Sequence, residues 1–551
     1  MKKLLLLFLC MALMLPAAGI AEKAATKWSG TISVASYMFA PFDETKDIVV
    51  GKVEEILKNK YGYDVDIQPV YIEYPQYQEV INTRIAGKTA PDIFISMSEE
   101  NMRNLYNQGA IASWDVEFFK EHAPNMYSFF DNGAYKGRMK SSTDMFWYFS
   151  TAPDGKMITV AGMVEAGGMS YKNLIYRGDF LEALGVDPEN LPKTVDDFMA
   201  LMYRFANEDP DGNGVKDTFG FSTTVIDALF GSYGSYVNVT NGFSKSPSWG
   251  SHWFVGDDGK IVNSDILPGN KEVLRLMQKA YADGVLDPEF ITGENTGGYW
   301  AISQGFINGL YGVSALASIG HYELPEVLGG AGGRCAQEYY AVNGADAKFY
   351  YGPWPAGPDG EYGWRVGYAV GVGENMLYNA SLNDDPEKLA AIFEILDIFY
   401  LDDELSILAS SGVEGVTFDY TPSGSVAMKV TNEELSQMGV TVLRGLYGGG
   451  QTYNEKCLEM GFYNNLSIKS RLDWAAKPQF DSHLLTAVPV SLPSQTTYAS
   501  EILAYRDETW ISIIKGELPV DFYDEYVEEW KALGGQILTD EANAWYEANK
   551  K

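Results

Sequence analysis

An α/β architecture divided into more than one domain is predicted by three observations. The chain has 551 residues, more than a single hydrophobic core accommodates. Its N-terminal part alternates strand and helix patterns, which predicts a parallel sheet with crossover helices. Helices with one apolar face and a glycine stop recur further on, without an internal repeat or a low-complexity linker. With 12 Trp, 36 Tyr and 27 Phe, the composition is that of a packed globular protein, not a disordered one.

The chain opens Met1-Lys2-Lys3, continues through an apolar run from Leu4 to Leu15 and reaches Gly19-Ile20-Ala21. This order predicts a secretory signal cleaved after Ala21, with small residues at the two positions a signal peptidase reads. The run is too short for a membrane span, and no later run is long enough. Loss of Lys2 and Lys3 takes the formal charge from −33 to −35. So acidic a surface argues against nucleic acid or an anionic membrane as partner. It also disfavours a strongly anionic ligand, unless a local basic pocket overrides the average.

After the signal, Gly30 to Ser36 reads as a strand, Val50 to Lys58 as a helix and Asp64 to Tyr71 as a second strand. Gln76 to Ala86 reads as a helix, Ala90 to Met97 as a third strand and Glu99 to Asn107 as a helix. Ligands of such sheets sit beyond the carboxyl ends of the strands. Here those ends are the loops from Tyr37 to Phe42 and from Ser96 to Glu99.

The stretch from Ser170 to Asp217 carries the most information. Asn173 to Tyr176 reads as a short strand, and Asp179 to Leu184 as a helix ended by Gly185. Thr194 starts the next helix, with Asp197 in capping-box spacing. Val195, Phe198, Leu201, Met202 and Phe205 then fall at helical intervals and mark one face as core. The following loop, Asp209-Pro-Asp211-Gly-Asn213-Gly214-Val215-Lys-Asp217, places oxygen-bearing side chains at positions 1, 3, 5 and 9, with glycine at 6. That is the spacing of an EF-hand loop, in which alternate residues turn inward around a hard cation. Asp209, Asp211, Asn213, Asp217 and the Val215 carbonyl are therefore the expected ligands of a structural calcium ion. Position 12, where an EF-hand carries a bidentate Glu, is Gly220. A metal-free surface turn is the alternative, because Asp, Asn and Gly favour turns in any case.

Arg177-Gly-Asp-Phe-Leu-Glu-Ala-Leu-Gly185, the Thr194 helix and the Asp209 loop together resemble the family 1 extracellular solute-binding proteins of ABC importers. These are relatives of the maltodextrin- and alginate-oligosaccharide-binding proteins. The resemblance continues through the helix Lys271 to Gly284, then Val285-Leu-Asp-Pro-Glu-Phe290 and Phe306-Ile-Asn-Gly-Leu-Tyr-Gly312. Later come a strand at Gly367 to Gly373, a helix at Pro386 to Tyr400, Gly412-Val-Glu-Gly415, and closing helices at Trp510 to Gly516 and Phe522 to Gly534. It covers nearly all of the mature chain.

The resemblance implies a two-lobed, type II periplasmic-binding-protein-like fold with lobes discontinuous in sequence and joined by a hinge. Residues 22–155 plus about 308–382 would form the N-terminal lobe, and 156–307 plus about 383–551 the C-terminal lobe. It implies a monomer that holds an oligosaccharide between its lobes and delivers it to ABC permease subunits. It would do so outside the cell, at the cell surface, or in the periplasm of a Gram-negative cell. Arg177 and Asp179 match family positions and read as a structural ion pair or cap. Family members are often anchored through a lipidated cysteine, but Cys10 lies inside the apolar run with no small residue before it. The anchor is not carried over. Cys335 and Cys457 remain in the mature chain, compatible with one disulfide or two buried thiols.

Catalytic signals are lacking. His122, His252, His321 and His483 show no zinc-ligand spacing, and no nucleophile elbow, His-Glu-x-x-His or phosphate-cradling glycine loop occurs. With 74 acidic residues, a glycosidase carboxylate pair could be drawn almost anywhere and carries no weight. Sugar binding asks instead for flat rings against C–H faces and polar groups for hydroxyls. Tyr37 and Phe39 follow the first strand and Glu99 the third; Tyr171 precedes the strand into the second lobe. Trp249, Trp354 and Trp364 (beside Arg365) lie in polar or turn-rich loops, and Trp474 follows Arg471 and Asp473. These eight are the candidate ligand contacts, each weighed against plain packing. An exported carbohydrate-active enzyme and a binding protein for a non-sugar such as a peptide are the alternative readings.

Overall fold

The computed structural model describes residues 24–35, 37–73, 76–96, 99–131, 143–160, 174–235, 237, 253–256, 258–291, 303–315, 322, 333–363, 375–447, 454–460 and 492–549. Its strands are β1 (Trp28–Ala35), β2 (Tyr63–Val70), β3 (Ile93–Ser96), β4 (Leu174–Arg177), β5 (Trp253–Val255), β6 (Ile261–Asn263), β7 (Val313–Ser314), β8 (Phe349–Gly352), β9 (Asn375–Tyr378), β10 (Phe418–Tyr420) and β11 (Val426–Met428). A first sheet has the order β2-β1-β3-β9 and a second the order β7-β4-β8, while β5-β6 and β10-β11 are hairpins. The predicted strand–helix alternation is present. β1 runs parallel to β2 along its whole length, from Trp28 opposite Tyr63 to Ala35 opposite Val70, and parallel to β3. β9 closes the sheet antiparallel to β3.

Local chemistry accounts for the element ends. The helix from Val50 passes through a wider turn at Leu57–Tyr61 and stops at Gly62, whose φ of +85° suits glycine. A side chain there would meet the Ala25 carbonyl oxygen at 2.2 Å. The Val195–Asn207 helix begins as its sequence predicts: Thr194 Oγ1 accepts from the Asp197 amide at 3.2 Å and donates to the Asp197 carboxylate at 2.8 Å. Its Val195, Phe198, Leu201, Met202 and Phe205 are all buried.

Two large cores result. The first gathers β1, β2, β3 and β9 with Trp114, Phe119, Phe130, Phe146, Phe393, Leu405 and Leu443. The second gathers Leu174, Tyr176, Phe198, Phe205, Leu229, Met277, Val313, Trp354, Trp510 and Trp530. The sequence-based lobe boundaries need correction here. Val313, Ala315 and Trp354 pack in the second core, not the first, and Leu389 to Leu446 pack in the first, not the second. Among the described residues, Leu492 to Ala542 pack in the second core. The reason is visible in the Pro386–Leu401 helix, which buries Leu389, Ile392, Phe393, Ile395, Leu396 and Phe399. That pattern announces burial but not which sheet covers it. Among the described residues the chain changes core between residues 160 and 174, 363 and 375, and 460 and 492. The predicted strand Gly367 to Gly373 lies outside the described residues.

The two cysteines are buried thiols that form no disulfide, Cys335 beside Ser303 and Cys457 beside Ser410. They belong to different lobes, so the disulfide alternative is set aside.

Candidate functional site

The site is framed by two sheet edges. In the first lobe β1 ends at Ala35, and β3 ends at Ser96 opposite Asn375, where β9 begins. Val160 bridges to Met376 and Thr159 Oγ1 donates to the Met376 carbonyl at 2.7 Å. The chain therefore leaves the first lobe, and later returns to it, at the carboxyl edge of its parallel strands. In the second lobe β4 starts at Leu174 opposite Gly352, where β8 ends. From that edge the chain runs on through Trp354 and Ala356, which still belong to this lobe. The first of these edges, at the carboxyl ends of β1 and β3, is the kind of edge where α/β sheets hold ligands.

At the first edge, the Tyr77 hydroxyl donates to the Ala35 carbonyl at 3.1 Å and accepts from the Ile95 amide at 2.9 Å, tying the ends of β1 and β3. Asn375, fully buried, donates from its amide to the Ser96 carbonyl at 3.3 Å. Neither residue stood out in the sequence, since their partners lie far along the chain. Tyr37 is nearly buried, its ring edge-on to Tyr77 at 5.7 Å. Phe39, by contrast, is 44% exposed in the loop after β1.

The other candidates divide as follows. Glu99 begins the Glu99–Asn107 helix directly beyond β3, as expected. Trp354 is only 2% exposed and packs within the second core, so it offers no open ring face to a ligand. Its Pro- and Gly-rich surroundings read as a surface loop, but they let the chain turn an indole inward. Tyr171, Trp249, Trp364 and Trp474 lie outside the described residues.

Arg177 is a frame residue of the second lobe. It is 3% exposed and forms a bidentate pair with Asp179, at 3.0 Å from Nε and 2.6 Å from Nη2. Nη1 donates to the carbonyls of Phe306 and Ile307 at 2.7 and 3.0 Å, and Nη2 to Asn343 at 2.7 Å. The structural role read from the sequence is thus extended across the lobe.

The Asp209–Asp217 loop turns on left-handed backbone at Asp209, Gly212 and Gly214, with φ of +49°, +68° and +79°. The Gly214 amide donates to Asp209 Oδ2 at 3.0 Å, and the Asn213 side-chain nitrogen bridges Asp211 at 2.7 Å and Asp217 at 3.2 Å. Asp209 Oδ1 is buried without a hydrogen-bond partner. Burial, together with the neighbouring Asp209 and Asp217, holds the Asp211 carboxyl above the usual carboxylate range. Crowded carboxylates and an orphaned oxygen fit a cation. A rotation of the near-isosteric Asn213 amide would present its oxygen instead of its nitrogen. As the side chains stand, though, no three His, Cys, Asp or Glu among the described residues form a metal-holding group. A cavity of ≈ 450 Å³ opens beside the loop between Asp211, Asp217, Gln304, Asn308 and Leu310.

Position 12 of the loop has a steric explanation. The Gly220 amide donates to the Val285 carbonyl at 2.8 Å, and an added Cβ would lie 2.6 Å from the Met202 carbonyl oxygen and 2.7 Å from Val285 Cγ1. No side chain fits. Gly220→Glu, which completes the EF-hand pattern on paper, is expected to lower stability by about 1–3 kcal/mol through overpacking. Thermal melts with and without calcium check this; a stabilised, calcium-tightened variant would refute it.

No family model matches the chain. Lipoprotein LipO of Bacillus subtilis (strain 168) is 24% identical over 386 residues, covering 68% of this chain and 69% of LipO. The polygalacturonan/rhamnogalacturonan-binding protein YtcQ of the same organism is 20% identical over 512 residues, covering 91% and 89%. Among solved structures, the Streptococcus pneumoniae ABC-transporter substrate-binding protein FusA with kestose superposes with a TM-score of 0.66 at 19% identity, over 95% of this chain and all of that one. An EF-hand mutant of FusA gives 0.65, at 19% identity over 95% and 100% of the two chains. The alginate-binding protein AlgQ2 without calcium ion gives 0.62, at 15% identity over 94% and 98%. The resemblance drawn from the sequence and the two-lobed α/β fold are borne out; at these identities the structural likeness speaks for the fold alone.

Proposed function

We propose that this chain is an extracytoplasmic solute-binding protein that captures an oligosaccharide between its two lobes and delivers it to an ABC import permease. The observation that carries this reading is the carboxyl edge of the first sheet, where β1 and β3 end beside Asn375, in a fold shared along nearly its whole length with a kestose-binding relative. Ligand bridging both edges would stabilise hinge closure, and the closed form would dock on the permease. Residues 1–21 would direct export, and among the described residues no helix is long and apolar enough to cross a membrane. Contacts are assigned to Tyr37, Phe39, Glu99, Tyr171, Trp249, Trp364 and Trp474, with Trp354 left to packing. The protein would work as a monomer and without catalysis. The acidic surface favours uncharged saccharides unless a basic pocket intervenes.

A structural calcium ion is assigned to Asp209, Asp211, Asn213, Asp217 and the Val215 carbonyl. The Phe219 amide donates to the Leu310 carbonyl at 2.8 Å, so the ion would brace the Gln304–Leu310 turn and, through it, Arg177. It would add stability, not chemistry.

A thermal-shift screen of residues 22–551 tests both parts. Fructooligosaccharides and polygalacturonan or rhamnogalacturonan fragments head the panel, each with calcium and with chelator. Ligand at 100 times its dissociation constant should add about 2.7 kcal/mol. A shift with one saccharide class, recovered intact, is the expected result. Recovered fragments would indicate an enzyme, and a shift only with peptides would overturn the sugar assignment. Melting that is insensitive to chelator would remove the calcium ion.

A further inference from the structure

The loop that carries Phe39 is held from two sides. On one side, Met38 bridges to Glu73, and its amide donates to the Ile72 carbonyl at 3.3 Å. On the other lies a segment almost 400 residues later, the Asn432–Gln437 helix and the turn after it. The Phe39 amide donates to Ser436 Oγ at 3.1 Å, and Ser436 Oγ shares a hydrogen bond of 2.8 Å with Thr441 Oγ1. The Asp43 amide reaches the Gln437 carbonyl at 3.1 Å, the Ile48 amide reaches the Met438 carbonyl at 3.3 Å, and Lys46 Nζ donates to Gln437 Oε1 at 2.6 Å. Gly439, at φ +92°, lets this turn sit against Phe42 and Val50, where a Cβ would lie 3.2 and 2.8 Å away.

Ser436 is itself fully buried, and its hydroxyl accepts from the backbone amide of a residue whose ring is exposed. An exposed phenyl ring is costly to leave in water unless something covers it. Here the ring stands on a rigidly pinned loop at the ligand-binding edge of a parallel sheet. We infer that Phe39 is a preformed stacking face for a saccharide and that Ser436 is its positioning residue, so that the late Asn432–Gln437 helix sets the geometry of a contact made by the start of the chain. The inference rests on the oligosaccharide reading above. Fixing the loop beforehand spares its ordering cost when ligand arrives.

The test uses residues 22–551 and the saccharide that shifts the wild type most in the fructooligosaccharide and galacturonan panel, with dissociation constants from calorimetry. Phe39→Ala is expected to weaken binding roughly tenfold or more. Ser436→Ala should weaken it less, by roughly three- to tenfold, and should add nothing in the Phe39→Ala background, because both act through one ring. Ser436→Cys keeps the volume while weakening the acceptor, and serves if the alanine variant folds poorly. Two outcomes overturn the inference while leaving the oligosaccharide reading intact: Phe39→Ala binding like wild type, or losses that simply add. A wild type that binds no saccharide overturns both.

Discussion

Arg506→Met is expected to remove about 3–5 kcal/mol from the stability of the second lobe, the cost of stranding buried charge when one partner is deleted. Arg506 is 2% exposed and donates to Asp507 from Nε and Nη2 at 2.9 and 2.7 Å, and to Asp265 from Nη1 at 3.2 Å. Burial alone would depress the guanidinium, but the charges of Asp265 and Asp507 outweigh it and keep it protonated. Its plane also lies 5.6 Å from the Trp510 ring, at the centre of a cluster with Phe230, Tyr523 and Tyr526. Methionine fills much of the volume but leaves two carboxylates without their cation. Urea unfolding measures this; a deficit below about 1 kcal/mol would contradict the assigned role.

Phe393→Ala should cost about 3–5 kcal/mol as well, but in the first lobe. The Phe393 ring is fully buried and meets Trp114 at 4.8 Å, Tyr378 at 5.2 Å, Phe119 at 5.3 Å and Phe118 at 6.1 Å. Truncation opens a cavity that these four rings cannot all collapse to fill. Hydrogen exchange resolved by peptide distinguishes the lobes. Loss of protection should spread over β1, β3 and β9 in Phe393→Ala, and over β4 and the Gln495–Ile514 helix in Arg506→Met. If Phe393→Ala loosened β4 instead, the assignment of residues 386–446 to the first lobe would be wrong.

What could be read from the sequence was whatever local chemistry decides. β1 to β3, the Thr194 cap, the buried face of the Val195–Asn207 helix and the Arg177–Asp179 pair each involve residues close in the chain. What could not be read depends on partners far away. The Arg506–Asp265 pair spans 241 positions, and nothing near either residue announces the other. The Pro386–Leu401 helix is apolar enough to be buried anywhere, so its lobe was misassigned. Trp354 looked like a loop residue because prolines and glycines surround it, while its ring fills the second core. Of the candidate site, the strand ends were legible; Tyr77 and Asn375, which tie those ends together, were not.

The interleaving of the two lobes bears on how the protein is made. Each lobe is completed by chain synthesised after the other has begun: β3 waits for β9, the loop after β1 waits for Ser436, and the core around β4 waits for Trp510. Contacts at such sequence separations are slow to form, since long loops must close before they reward the chain. Neither core can close before the later segments that fill it have been synthesised. The second core is complete only once its last helices, Phe522–Trp530 and Gln536–Asn549, have been added.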